Sequence, residues 1–102
     1  MALFRCSSGG GGGNAITVLV NESIAKGVTK TVTVDLSKRY LINFAQLRAD
    51  RNAMNIYKLD SGTVTSISTG NNVYCTVTLS GTTLSIKNTH SSDAAFYSVV
   101  EV

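Results

Sequence analysis

The chain has 102 residues, of which 43% are hydrophobic and 15% are charged, and its net charge is +3. This length suits one domain and not two. The positive charges are scattered without interleaved aromatic residues, and no apolar run approaches the ~18–20 residues that span a bilayer, so neither a nucleic-acid partner nor a membrane partner is expected.

The chain opens with the segment "MALFRCSSGGGGGN", which contains five consecutive glycines. It lacks the apolar stretch of a signal peptide, so we expect synthesis in a cytoplasm. It also lacks the Lys-Ser/Thr that follows a phosphate-binding glycine loop. A flexible tail is one interpretation. The other interpretation is an assembly arm. Glycines fit closely against another backbone, and the apolar side chains of Leu3 and Phe4 would not be buried in a solvated tail.

From Ala15 onward the chain is rich in Thr, Val, Ile and Ser, contains no proline, and shows no sustained helical periodicity. Eight short segments have the composition or the period-two alternation of β-strands, and the segment 47–54 between two of them is expected to be a loop or a single helical turn. The predicted strands are 15–20, 28–36, 39–46, 55–59, 63–68, 73–79, 82–88 and 95–102.

The alternation predicts which residues face a core. In 28–36 it places Val28, Val32, Val34 and Leu36 on one face and Thr29, Thr31, Thr33 and Asp35 on the other. One apolar and one polar face, with short turns such as Ser80–Gly81, are typical of antiparallel sheets. The sequence therefore predicts an all-β fold, an antiparallel β-sandwich or jelly-roll-like domain over 15–102, preceded by a glycine-rich arm over 1–14.

No constellation of residues indicates catalysis. The single histidine, His90, lies beside Ser91, Ser92 and Asp93 in one short loop, where the side chains of a catalytic triad rarely converge. Two cysteines with one histidine are too few for a zinc site, and Cys75 has the position of a small buried hydrophobe. We expect no enzyme activity, no cofactor and no metal.

The glycine-rich start and the C-terminal segment "LSGTTLSIKNTHSSDAAFYSVVEV" together resemble the ends of small structural proteins of tailed bacteriophages and prophages of gut Firmicutes. The resemblance covers the whole chain in style and is compositional. It implies a virion protein of the head or tail, present in many copies, with a β-sandwich core and no catalytic residues.

The expected function is that of a non-enzymatic virion protein, a capsid decoration or tail-associated protein, whose partners are its own copies and other virion proteins. The alternative is a small β-sandwich module that binds a cell-surface glycan. Strands 39–46 and 95–102 are apolar on both faces, which suggests that a second surface also leaves water. The residues expected at an assembly interface are Leu3, Phe4, Gly9, Gly10, Gly11, Gly12, Gly13, Tyr40, Ile42, Tyr97 and Val99.

Overall fold

The computed structural model describes residues 17–46, 54–70 and 73–102, which form eight β-strands and no helix. Each predicted strand is present, and the first continues to Ile24, four residues beyond its predicted end. The expected arm and most of the segment 47–54 lie outside the described residues. The strands are β1 (Thr17–Ile24), β2 (Thr29–Thr33), β3 (Tyr40–Gln46), β4 (Met54–Asp60), β5 (Thr63–Ser68), β6 (Cys75–Ser80), β7 (Thr83–Asn88) and β8 (Ala95–Glu101).

The strands form two antiparallel sheets, which confirms the predicted β-sandwich. Five strands form one sheet in the order β1–β8–β3–β4–β5, and three form the other in the order β2–β7–β6. The abundance of β-branched residues favours extended backbone, and their alternation gives each strand an inner and an outer side. The first and last of these strands, β1 and β8, are neighbours in the larger sheet.

The core lies between the inner faces of the two sheets. Strand β7, at the centre of the smaller sheet, contributes Leu84 and Ile86, while the larger sheet contributes Ile42, Phe44 and Val99, and all five are fully buried. Each such side chain stabilises the fold by about 1.5–3 kcal/mol before entropy is subtracted. The other core residues are Ile24, Val34, Tyr40, Leu59, Ala95 and Tyr97.

Tight turns connect two pairs of neighbouring strands. In the β4–β5 hairpin both central residues have positive φ, +54° at Ser61 and +75° at Gly62, as the type I′ turn requires. In the β6–β7 hairpin the central residues are Gly81, at φ +61°, and Thr82. This turn lies one residue later than predicted, because Ser80 still pairs within the ladder.

A polar cluster joins the two sheets along one edge of the sandwich. The Tyr97 hydroxyl donates a 2.7 Å hydrogen bond to Glu22 Oε2, and Lys30 Nζ lies 3.7 Å from the same oxygen. Burial raises the pKa of Tyr97, and the bond to the Glu22 carboxylate raises it further. The phenol therefore remains protonated and donates to Glu22 at physiological pH, which connects β8 to β1 and, through Lys30, to β2.

The predicted inner face of β2 is too long. Val32 and Val34 pack in or against the core, but Val28 and Leu36 are exposed, at 36% and 40%. Both lie beyond the ends of β2: the Val28 carbonyl still accepts a bond from Asn88 N at the end of the ladder, and Leu36 lies in the turn towards β3.

The register of β6 gives a direct test of the two faces. Val77 is half-buried and pairs with Ile86, whereas the side chain of its neighbour Thr76 is exposed on the outer face. We expect Val77→Asp to lower the free energy of unfolding by about 2 kcal/mol, because it brings a carboxylate to the apolar core, and Thr76→Asp to change it by less than about 0.5 kcal/mol. Urea denaturation measures both, and the reverse ranking would mean a register shifted by one residue.

Candidate functional site

Four of the residues expected at an interface lie in the core of the domain. Tyr40, Ile42, Tyr97 and Val99 are at most 3% exposed, and all four belong to the cluster between the sheets. An interface on β3 and β8 would therefore use the opposite, outer side of these strands. The other expected residues, Leu3, Phe4 and Gly9 to Gly13, lie outside the described residues.

The outer side of the five-stranded sheet carries an apolar surface. Val18 on β1 is 56% exposed and Phe96 on β8 is 48% exposed, although both are large apolar side chains. Cross-strand pairing places Val18, Val100 and Leu41 in one row, and Phe96, Ala45 and Met54 in another. We refer to these two rows as the apolar face; Val18 and Phe96 are its exposed residues, Leu41, Ala45 and Met54 are half-buried, and Val100 is buried.

On β8 and β3 a polar row, Ser98 and Asn43, separates the two apolar rows. Asn43 is 4% exposed, and its Nδ2 donates a 3.4 Å bond to Ser98 Oγ on the neighbouring strand. Its Oδ1 has no hydrogen-bond partner among the residues that the structure describes. The sequence of β3 reads as apolar on both faces. The one amide that interrupts this pattern, Asn43, was therefore not predicted to form a polar row.

The outer side of the three-stranded sheet is different in kind. Cross-strand pairing arranges nine residues in three rows of three, eight of which carry hydroxyls and one of which is a lysine. All are exposed except Ser85, which is half-exposed, so this surface contains neither an apolar side chain nor a carboxylate. We refer to it as the hydroxyl face; its rows are Thr29–Lys87–Thr76, Thr31–Ser85–Thr78 and Thr33–Thr83–Ser80.

An aromatic ring extends the hydroxyl face beyond the row of Lys87. The Thr89 N–H donates a 3.0 Å bond to the Tyr74 carbonyl, so the ladder continues past the start of β6. Tyr74 is 50% exposed, and its ring lies 5.3 Å from the His90 ring at an angle of 58°. The sequence contains the signal for this position, because Tyr74 continues the even-numbered parity of Thr76 and Thr78.

Cys75 lies in a polar cluster between β4 and β6 and is half-buried, whereas the sequence suggested a buried hydrophobe. Its Sγ is 3.1 Å from the Tyr57 hydroxyl and 3.5 Å from Asn55 Nδ2. Burial raises the pKa of the Cys75 thiol and, with the bond to Cys75, raises the pKa of Tyr57 to about 12. Because the thiolate is the reactive form, this environment does not activate the cysteine as a nucleophile. The cluster therefore connects the two sheets, through β4 and β6, at the second edge of the sandwich.

The His90 ring organises its own loop. Its Nδ1 accepts hydrogen bonds from the backbone N–H groups of Ser92, at 3.1 Å, and Asp93, at 3.0 Å. Its Nε2 lies 3.5 Å from Asp93 Oδ2. Because Nδ1 accepts from two backbone donors, the His90 side chain stabilises the turn that precedes β8.

Among the described residues, one depression is too small for most ligands. It is a shallow depression of about 210 Å³ lined by residues of β3 and β4 together with Arg39 and Val102. Ligand pockets commonly measure about 300–1,000 Å³. Within the described ranges no three side chains are grouped as metal ligands, and no helix there is long and apolar enough to cross a bilayer.

Comparison with known proteins adds one structural neighbour. No protein-family model matches the sequence, and no curated protein matches it. The structure is similar to that of a tailspike protein, gp49 from Acinetobacter baumannii bacteriophage Fri1, described as a capsular polysaccharide depolymerase, with a TM-score of 0.49 and 16% sequence identity. The match covers 84% of this chain and 17% of the tailspike. At this level of similarity it carries no functional argument.

Proposed function

We propose that this protein is a non-enzymatic structural component of a bacteriophage particle, a capsid decoration or tail-associated protein, that self-associates through the apolar face. The observation that carries the proposal is the exposure of Val18 and Phe96 on one side of the larger sheet. Exposed apolar surface of this kind marks sites of contact with another protein. The leader and C-terminal segment that resemble phage structural proteins favour a virion as the setting.

The glycine-rich leader would contribute to the same contact. Thirteen extended residues reach roughly 43–47 Å, far enough for Leu3 and Phe4 to pack on a neighbouring copy. Their burial contributes about 3–6 kcal/mol, whereas ordering five glycines costs about 5–10 kcal/mol. The arm is therefore too weak to hold an assembly alone, and the apolar face would supply the larger share of the contact.

Light scattering of the full chain tests self-association. We expect an oligomer that Phe96→Ser converts towards monomer, because this change removes the exposed aromatic ring of the apolar face. Leu36→Ser is the matched control, since it removes another exposed apolar side chain, 40% exposed, in the turn after β2. Deleting residues 1–13 should weaken association and leave the melting temperature of the domain nearly unchanged.

Two results would contradict the proposal. One is a full chain that stays monomeric at the highest soluble concentration, and the other is an oligomer that Phe96→Ser leaves intact. Mass spectrometry of particles purified from the encoding phage tests the setting separately. Absence of the chain from those particles would rule out a virion component.

A second candidate function, recognition of a cell-surface glycan, is favoured by the hydroxyl face. It uses the opposite side of the sandwich from the apolar face, so both functions are compatible in one molecule.

A further inference from the structure

We propose that the hydroxyl face binds an extended acidic polysaccharide, with Tyr74 and Lys87 forming its principal contacts. The inference rests on the second candidate function and is independent of self-association. It concerns the outer side of the smaller sheet, whose nine side chains are not part of the core.

The geometry of the face suits a polymer of sugars. Neighbouring strands are about 4.7–4.9 Å apart, and residues on one side of a strand repeat about every 6.6–6.8 Å. The nine side chains of the face therefore form a regular grid. Each Ser or Thr hydroxyl donates one hydrogen bond and accepts two, and sugar hydroxyls do the same, so direct and water-mediated bonds match along a chain.

Tyr74 supplies the apolar part of the contact. Its ring is half-exposed and tilted against the His90 ring, which limits its movement. The face of an aromatic ring carries negative charge density and attracts groups with positive edges, such as the C–H groups of a sugar ring. The ring adjoins the row of Lys87, so one sugar unit can touch both.

The charge of the face favours an acidic ligand. Lys87 stands between the hydroxyls of Thr29 and Thr76, and makes no ion pair among the described residues. Two carboxylates lie nearer to this end of the face than Asp35, and each is close to another basic group: Glu22 Oε2 is 3.7 Å from Lys30 Nζ, and Asp93 Oδ2 is 3.5 Å from His90 Nε2. Lys87 is therefore the cation of the grid to which a carboxylate on the ligand would bind.

Other partners fit this surface less well. The centre of a protein–protein interface is rich in aromatic and apolar residues, and the grid has none within its three rows. Nucleic acid requires a cluster of cations to neutralise successive phosphates, and the rows carry one lysine.

An array of immobilised bacterial polysaccharides, acidic and neutral, tests the proposal with the full chain as probe. We expect binding to carboxylate-bearing polysaccharides that weakens with added salt. Tyr74→Ala and Lys87→Ala should each weaken it by about tenfold. Thr78→Glu, which places a like charge at an exposed position of the grid, should abolish it. Thr65→Glu is the control, because Thr65 is an exposed threonine on the other sheet. Since Thr65 continues the row of Leu41 through Lys58, this variant is compared with the parent chain at matched oligomeric state, where it should bind equally well.

The proposal is overturned if no acidic polysaccharide binds, if only neutral ones bind, or if Thr78→Glu binds as well as the parent. Failure here is distinguishable from failure of self-association. Light scattering of Tyr74→Ala should show the oligomer of the parent chain, and the array should be read at matched oligomeric state so that avidity does not confound it.

Discussion

Truncating Phe44 to alanine is expected to lower the free energy of unfolding by about 4 kcal/mol. Phe44 is fully buried on β3, the central strand of the larger sheet, with Tyr97 and Asn55 as its cross-strand neighbours. Removing a buried phenyl ring loses its transfer free energy and leaves a cavity that the close-packed core fills only in part. A small domain is stable by about 5–15 kcal/mol, so much of that margin is lost.

Chemical denaturation followed by circular dichroism measures this loss. If Phe44→Ala does not fold, Phe44→Leu keeps the test available, with an expected cost of about 1.5 kcal/mol. Phe96→Ala is the matched control, because Phe96 is the same residue type on the outer side of the neighbouring strand, paired with Ala45. It should cost less than about 1 kcal/mol in the monomer. Equal costs at the two positions would contradict the assignment of inner and outer faces.

The eight strands were predictable because alternation is a local property of the sequence. Val32 and Val34 on β2, and the even-numbered threonines of β6, follow directly from a period of two. The pairing of strands is not local. Strand β3 pairs with β8, so that Asn43 bonds to Ser98, 55 residues away along the chain. Nothing in either segment specifies that neighbour.

The same limit explains the misplaced interface residues. The strands around Tyr40 and Tyr97 are apolar on both sides, and alternation separates the sides without saying which one meets the other sheet. Only the second sheet decides it, by packing Leu84 and Ile86 against one side. The hydroxyl face has the same origin. Outward threonines on single strands were expected, but their alignment in rows with Lys87 depends on the register of three strands.

Among the polar residues, Asn88 is the one whose replacement we expect to remove the most hydrogen bonds. It is fully buried at the end of β7, and its side chain makes three hydrogen bonds. Nδ2 donates to the carbonyls of Ile24, at 3.1 Å, and Asp93, at 3.0 Å, while Oδ1 accepts from His90 N at 3.0 Å. One amide thus joins the end of β1, the end of β7 and the loop that leads to β8.

Replacing Asn88 with leucine preserves the volume of the side chain and removes all three bonds. Two carbonyls and one N–H then lose their side-chain partner, in a site where Ile24 and position 88 are both buried. At about 1 kcal/mol for each group, the expected loss in the free energy of unfolding is about 3 kcal/mol. Asn21→Leu is the matched control, because Asn21 is exposed on β1, and should change stability by less than about 0.5 kcal/mol.

Asn88→Asp separates the role of the donor from the role of the shape. At neutral pH the carboxylate keeps the acceptor for His90 N but cannot donate, and it faces the two carbonyl oxygens that Nδ2 now binds. Burial and those oxygens disfavour the charged form, so the pKa of this carboxyl is raised in the folded state above its unfolded value. The protonated form donates one O–H, and its stabilisation is lost as pH rises through the folded pKa.

Relative to the parent chain at each pH, Asn88→Asp should therefore be least destabilised in acid, whereas the Asn88→Leu deficit should not follow this titration. Urea midpoints between pH 3 and pH 7 measure the difference, and a pH-independent deficit for Asn88→Asp would show that the amide's donor bonds to Ile24 and Asp93 do not hold the loop to the sandwich.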